Sequence, residues 1–180
     1  KPGDVLILTK PLGIGILNTG IKAGIVSDEG YKTAVQTMSE LNKFAKDAMM
    51  AVGVNSCTDV TGFGLLGHAY EMADGSNVTI KFKADSMIII EEALSLARMG
   101  IIPAGAYKNM EYIKNYVSIS DTIPQEIIDC MYDPQTSGGL LISVEKDKSQ
   151  MLLDKLKNNK TPFALIGEVL EKQDYSIIVE

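Results

Sequence analysis

No apolar run in this chain is long enough to make a structural unit alone. The longest unbroken stretches of Val, Leu, Ile and Met, residues 5–8 and 87–90, span four residues each. That is far short of the roughly 18 apolar residues of a membrane-spanning helix. A core must therefore come from many short strands and helices layered on one another. The composition allows it: 180 residues, 46% hydrophobic and 22% charged, match a folded globular domain and give one domain over residues 1–180.

The order of the elements narrows the architecture. Residues 5–8 (Val5, Leu6, Ile7, Leu8), stopped by Thr9, Lys10 and Pro11, read as a strand buried on both faces. Residues 12–30 are dense in glycine and read as a long irregular connection. Helical spacing of Ala34, Val35, Met38, Leu41, Ala45, Ala48 and Met49 predicts one helix over residues 31–50, capped by Ser27 or Asp28. A second helix begins within residues 62–67 and ends by Ala73, before a turn at residues 74–77. Residues 78–83 alternate as a half-buried strand, with Val78, Ile80 and Phe82 on one face. Helices are predicted over 91–99, 124–131 and 147–158, and strands over 140–144, 164–169 and 175–179; Pro103 and Gly105 mark a loop carrying Asn109. Strands interleaved with helices, one alternating like an antiparallel partner, predict an α+β domain: a mixed β-sheet with helical cover.

Net charge is −6, which argues against a nucleic-acid or membrane-surface partner. Cys57 and Cys130, far apart and outside any metal-type spacing, support neither a disulfide framework nor a zinc cluster, so a reducing cytoplasm is expected. The opening Lys1, Pro2 and Gly3 read as a linker, and the chain as one domain of a longer protein.

Three blocks carry candidate chemistry. Gly62-Phe63-Gly64-Leu65-Leu66-Gly67 satisfies the dinucleotide glycine pattern, but the preceding residues are mostly polar and include Asp59, where that fold needs an apolar strand. A different reading uses the carboxylate: Asp59 holds Mg²⁺, and the metal with the glycine-turn amides binds phosphate. The competing reading has Asp59 or Thr61 capping a helix. His68, the sole histidine, is a proton shuttle or phosphate contact, or else a packed structural residue. The turn of residues 133–139 offers Thr136, Ser137 and Gly138 as an anion nest, or is an Asx turn built on Asp133. Lys10 meets a phosphate at a sheet edge or is simply solvated. Cys57 has no basic neighbour to activate it.

Together the blocks Thr9-Lys10-Pro11-Leu12-Gly13, Cys57-Thr58-Asp59-Val60-Thr61-Gly62-Phe63-Gly64-Leu65-Leu66-Gly67-His68 and Asp133-Pro134-Gln135-Thr136-Ser137-Gly138-Gly139-Leu140-Leu141 resemble the carboxy-terminal domain of the selenophosphate synthetases, the selenide, water dikinases. The resemblance spans almost the whole chain. It implies the fold of the aminoimidazole ribonucleotide synthetase-like superfamily and an ATP-dependent phosphotransferase that makes selenophosphate, phosphate and AMP from ATP, selenide and water with Mg²⁺. It implies that Asp59 is a metal ligand, joined by carboxylates from an amino-terminal domain that this sequence lacks and that also carries the catalytic Cys or selenocysteine and Lys.

Thr61, Gly62, Gly64, Thr136, Ser137 and Gly138 are then the expected ATP and phosphate contacts, and no catalytic residue is expected in these 180 residues. One departure is Ile14, where the family pattern has threonine; the missing hydroxyl weakens a phosphate role for that segment. The full-length enzyme is expected to be a cytoplasmic homodimer, and this domain alone neither to turn over ATP nor to bind it tightly. Two alternatives stay open: another ATP-dependent member of the superfamily, or a noncatalytic scaffold domain.

Overall fold

A computed structural model describes residues 1–180, and its centre is the strand expected at residues 5–8. β1 (Asp4–Leu8) is buried along its whole length because both its edges and both its faces are occupied. The other strands are β2 (Ser56–Asp59), β3 (Val78–Phe82), β4 (Val117–Ile119), β5 (Leu140–Glu145), β6 (Ala164–Glu171) and β7 (Ile177–Val179). They form one sheet in the order β2-β5-β1-β6-β3-β7-β4. β1 runs antiparallel to β5 and β6, as do β2 to β5 and β3 to β6, whereas β7 is parallel to β3 and β4. The sheet is mixed, as expected.

Eight helices accompany it: α1 (Ile14–Ala23), α2 (Asp28–Ser39), α3 (Lys43–Val52), α4 (Gly64–Ser76), α5 (Glu91–Arg98), α6 (Ala104–Ile113), α7 (Gln125–Tyr132) and α8 (Lys146–Asn158). Alternation along β1 splits the core in two. Leu6 and Leu8 join Leu65, Leu66, Ala106, Ile113 and Met131 on one face. Val5 and Ile7 join Ala45, Ala48, Leu152 and Leu156 on the other. A third cluster unites Ile14, Ile16 and Leu17 with Ala34, Ala93, Leu96 and Cys130, which binds α1, α2 and α5 to α7 beside the sheet.

Several expectations give way. Residues 12–30 are not irregular: α1 forms despite its glycines, because packing of Ile14, Ile16 and Leu17 outweighs their poor helix propensity. The single helix over 31–50 is two helices. Glu40 leaves α2 in extended geometry (φ −66°, ψ 127°), and the Lys10 ammonium holds the carbonyls of Thr37 and Glu40 at 3.0 and 2.7 Å. Leu41, placed in the core by its spacing, is exposed. Ser27 is the cap, accepting from the Gly30 amide. α4 runs through the expected turn at residues 74–76 and stops at Asn77 in the left-handed region (φ 51°). Asn109 lies in α6, not in a loop; Pro103 sits just before the first helical residue, where its missing N–H costs nothing.

Candidate functional site

The three sequence blocks meet at one end of the sheet. β5 lies between β1 and β2 in register, with Leu141 opposite both Leu8 and Thr58, and Leu140 opposite Asp59. The chain leaving β1 (Thr9, Lys10), the chain leaving β2 (Asp59 to Gly64) and the chain entering β5 (133–139) are therefore neighbours. Pairing continues past the strands: the Val60 amide donates to Gly139 O at 2.8 Å, and the Thr61 carbonyl accepts from the amides of Gln135 (2.9 Å) and Gly64 (3.1 Å).

Two glycines make this closeness possible. A Cβ on Gly138 would lie 2.0 Å from the Val60 oxygen. Gly64 has φ +68°, and a Cβ there would meet the Tyr132 oxygen at 2.7 Å. Both are buried spacers between backbones. Gly62 is exposed with open space around it, and Thr136 and Ser137 are exposed too. Ser137 takes φ +51°, in the left-handed region that few residues other than glycine adopt. Its carbonyl accepts from Lys10 at 2.8 Å, while the neighbouring Gly138 carbonyl accepts from the Asn42 amide at 2.9 Å. The junction of α2 and α3 thus grips the turn from behind.

Lys10 is not solvated. It is buried, and its three N–H donors are spent on Thr37, Glu40 and Ser137 carbonyls, which leaves none for a phosphate. Burial lowers its pKa, and the Glu40 carboxylate opposes the shift. Asp133 forms no Asx turn. Its Oδ2 accepts from the Gly15 amide and from Gln135 Nε2, both at 2.8 Å, while Gln135 Oε1 accepts from the amides of Gly13 and Ile14 at 3.2 Å. The pair caps α1, which has no local side-chain cap. Burial pushes the Asp133 carboxyl up to about 7, against the Gln135 side chain and the amides of Ile16 and Gly15; its Oδ1 has no hydrogen-bond partner.

Asp59 stands at the exposed end of β2, followed by the fully buried Val60 and the half-buried Thr61. No three His, Cys, Asp or Glu side chains of this chain gather closely enough to hold a metal ion. The Asp59 carboxylate and the Thr61 hydroxyl two residues further on are hard oxygen donors of the kind Mg²⁺ takes, but they make only part of a coordination shell. The Cys57 thiol is pushed up to about 11 by burial and by Asp59, so it is no thiolate nucleophile. His68 is buried at the start of α4, with Nε2 3.1 Å from Thr61 Oγ1 and Nδ1 3.2 Å from Glu71 Oε2. Phe63 leans on it, ring centroids 5.5 Å apart.

Sequence spacing missed Gln135, Asn42 and Asn109 as organisers. Asn109 Nδ2 donates to both Gly62 O and Tyr132 O at 3.0 Å, tying the glycine turn to α7. Apart from the Gln135–Asp133 contact two residues apart, their partners lie between 23 and 122 residues away, so no local pattern marks them as organisers.

A mixed sheet with helices on both faces and glycine turns at one sheet end defines a recognised class: the chain belongs to the family of AIR synthase related proteins, C-terminal domain, which matches residues 1–180. Within that class its relatives are specific. It is 56% identical over 181 residues to a selenide, water dikinase of Caldanaerobacter subterraneus subsp. tengcongensis, a match covering 99% of this chain and 52% of the relative. Another of that name from Clostridium botulinum is 49% identical over 181 residues, covering 100% and 52%. The chain thus spans about half the length of the curated relatives it matches. Among solved structures, thiamine-monophosphate kinase from Stenotrophomonas maltophilia superposes with TM-score 0.68 at 17% identity, covering 100% of this chain and 51% of that one. E. coli HypE, a hydrogenase maturation protein, gives 0.68 at 15% identity over 96% and 45%. These two share the fold.

Proposed function

We propose that this chain is the carboxy-terminal domain of a selenide, water dikinase, which makes selenophosphate, phosphate and AMP from ATP, selenide and water. One observation carries the reading. The three blocks that resemble this family converge at one sheet end, in a chain 56% identical to a protein of that name. Thr61, Gly62, Gly64, Thr136, Ser137 and Gly138 form the nucleotide-facing rim: exposed Gly62, Thr136 and Ser137 toward phosphate, buried Gly64 and Gly138 fixing the two turns against each other.

Asp59 is a ligand of Mg²⁺, whose charge when bound offsets the negative charge spread over the transferring phosphoryl group. One carboxylate cannot hold that ion alone, so the remaining ligands belong to an amino-terminal domain, the partner that also brings the nucleophile. The helix ends and sheet contribute rigidity: Lys10, Asn42 and Asn109 hold the turns still so that binding geometry is set before substrate arrives. The cytoplasm is the compartment, the full-length protein is a homodimer, and neither nucleic acid nor membrane is a partner. No helix here is long and apolar enough to cross a membrane.

The test is ³¹P NMR of the full-length protein with Mg²⁺, ATP and selenide under anaerobic reducing conditions. A selenium-coupled phosphorus signal appearing with AMP and phosphate is expected, and Asp59→Asn should lower its rate at least tenfold. Unchanged ATP with folded protein would reject the reading; turnover with another nucleophile would move it to a different member of the superfamily.

A further inference from the structure

His68 is the chain's one histidine, and the reading above gives it no task. Its surroundings determine the direction of a hydrogen bond at the site. Glu71 Oε2 lies 3.2 Å from Nδ1, and a carboxylate only accepts, so the proton of the neutral ring sits on Nδ1. Nε2 is then a bare acceptor facing Thr61 Oγ1 at 3.1 Å. The His68 side chain is 11% exposed, so water has little access to the ring. It is further held by Phe63, which packs on it from the glycine turn.

The geometry points to His68 as a positioning residue: held by Glu71 in its Nδ1–H form, it takes the hydroxyl hydrogen of Thr61, so that Thr61 presents oxygen lone pairs, a cation's ligand, and no donor for phosphate. A hydroxyl has one hydrogen. Once that hydrogen points into the imidazole, Thr61 can approach a cation or a cation-bound water, and phosphate oxygens are left to backbone amides and to the exposed hydroxyls of Thr136 and Ser137. Thr61 lies two residues beyond Asp59, with the buried Val60 between them, so the second oxygen comes from the same chain segment as the carboxylate. This rests on the proposed Mg²⁺ site for its chemistry but not for its hydrogen-bond direction, and the two parts are tested separately.

In long-range ¹H–¹⁵N spectra of the ¹⁵N-labelled full-length protein at neutral pH, the His68 ring signals are identified by their loss in His68→Phe. The expected result is a protonated Nδ1 and a bare Nε2 whose resonance moves in Thr61→Val. A proton on Nε2, or an Nε2 resonance indifferent to Thr61→Val, would overturn the inference. In the full-length protein, Thr61→Val and His68→Phe should each raise the Mg²⁺ needed for half-maximal turnover about tenfold, with the KM for ATP unchanged. Thr61→Ser, which restores the hydroxyl, should bring the Mg²⁺ demand back toward the unmodified value, and the double variant should fall no further than either single one. A rise in the KM for ATP with unchanged Mg²⁺ demand would assign the Thr61 hydroxyl to phosphate and reject the inference. Absence of any turnover in the unmodified protein would reject the dikinase reading alone, with the imidazole spectra still deciding the hydroxyl's direction.

Discussion

Lys10 and Asp133 show how much of this site is held by single buried charges. Removing the Lys10 ammonium strands three carbonyls, two on α2's end and one on the turn at Ser137. Lys10→Met should therefore cost about 3 kcal/mol in urea unfolding. Asp133 acts through its protonation. Its carboxyl rises from 3.8 to about 7 on folding because burial disfavours the charge, so the folded state binds more protons than the unfolded one between those values. Stability falls as pH rises through that window and its contribution is lost above about 7, at most about 4 kcal/mol. Asp133→Asn, which keeps an acceptor for the Gly15 amide, should shrink the loss measured between pH 5 and pH 8. An undiminished loss would place the titrating group elsewhere. None of this was legible locally: a lysine after a buried strand reads as solvated until a carbonyl 127 residues away in sequence is seen above it.

Among the elements, legibility followed the strength of the local pattern. β1, β3, α5 and α7 fall where apolar spacing, a proline at a helix start or a closing glycine puts them. α1 was hidden because Gly15 and Gly20 look like breakers, yet each is a contact point: a Cβ on Gly15 would sit 2.4 Å from Asp133 Oδ1. The break between α2 and α3 was hidden for the opposite reason, since helical periodicity continues straight through residues 40–42 and the interruption comes from Lys10. The glycine blocks were visible as blocks but not as two kinds of glycine. Gly138→Ala drives a methyl onto the Val60 carbonyl and should destabilise the fold by about 3 kcal/mol or more. Gly62→Ala meets nothing within 4 Å and has no positive φ, so its stability should stay within about 0.5 kcal/mol of wild type. A rise in the KM for ATP in Gly62→Ala of the full-length protein would then report on nucleotide contact, free of any folding defect. An unchanged KM would remove Gly62 from the rim.

At the scale of the whole molecule, fold and site separate. The sheet and its two helical layers hold their own buried clusters, but the proposed cation site does not close: Asp59 stands exposed at the end of β2, and no group of three ligating side chains gathers anywhere in the chain. The chain's net charge of −6 also repels a polyphosphate unless a cation intervenes. The 180-residue chain should therefore unfold cooperatively as an independent domain, yet calorimetric titration with Mg²⁺ and ATP should show no saturable binding below millimolar concentrations. The same titration of the longer protein should saturate, and Asp59→Asn should weaken it by roughly tenfold or more. Tight saturable binding by the 180-residue chain would put the whole nucleotide site on this domain and remove the need for ligands from a second one. Weak binding in both, with Asp59→Asn silent, would instead leave the turns of residues 61–64 and 136–138 as the scaffold on which another domain rests.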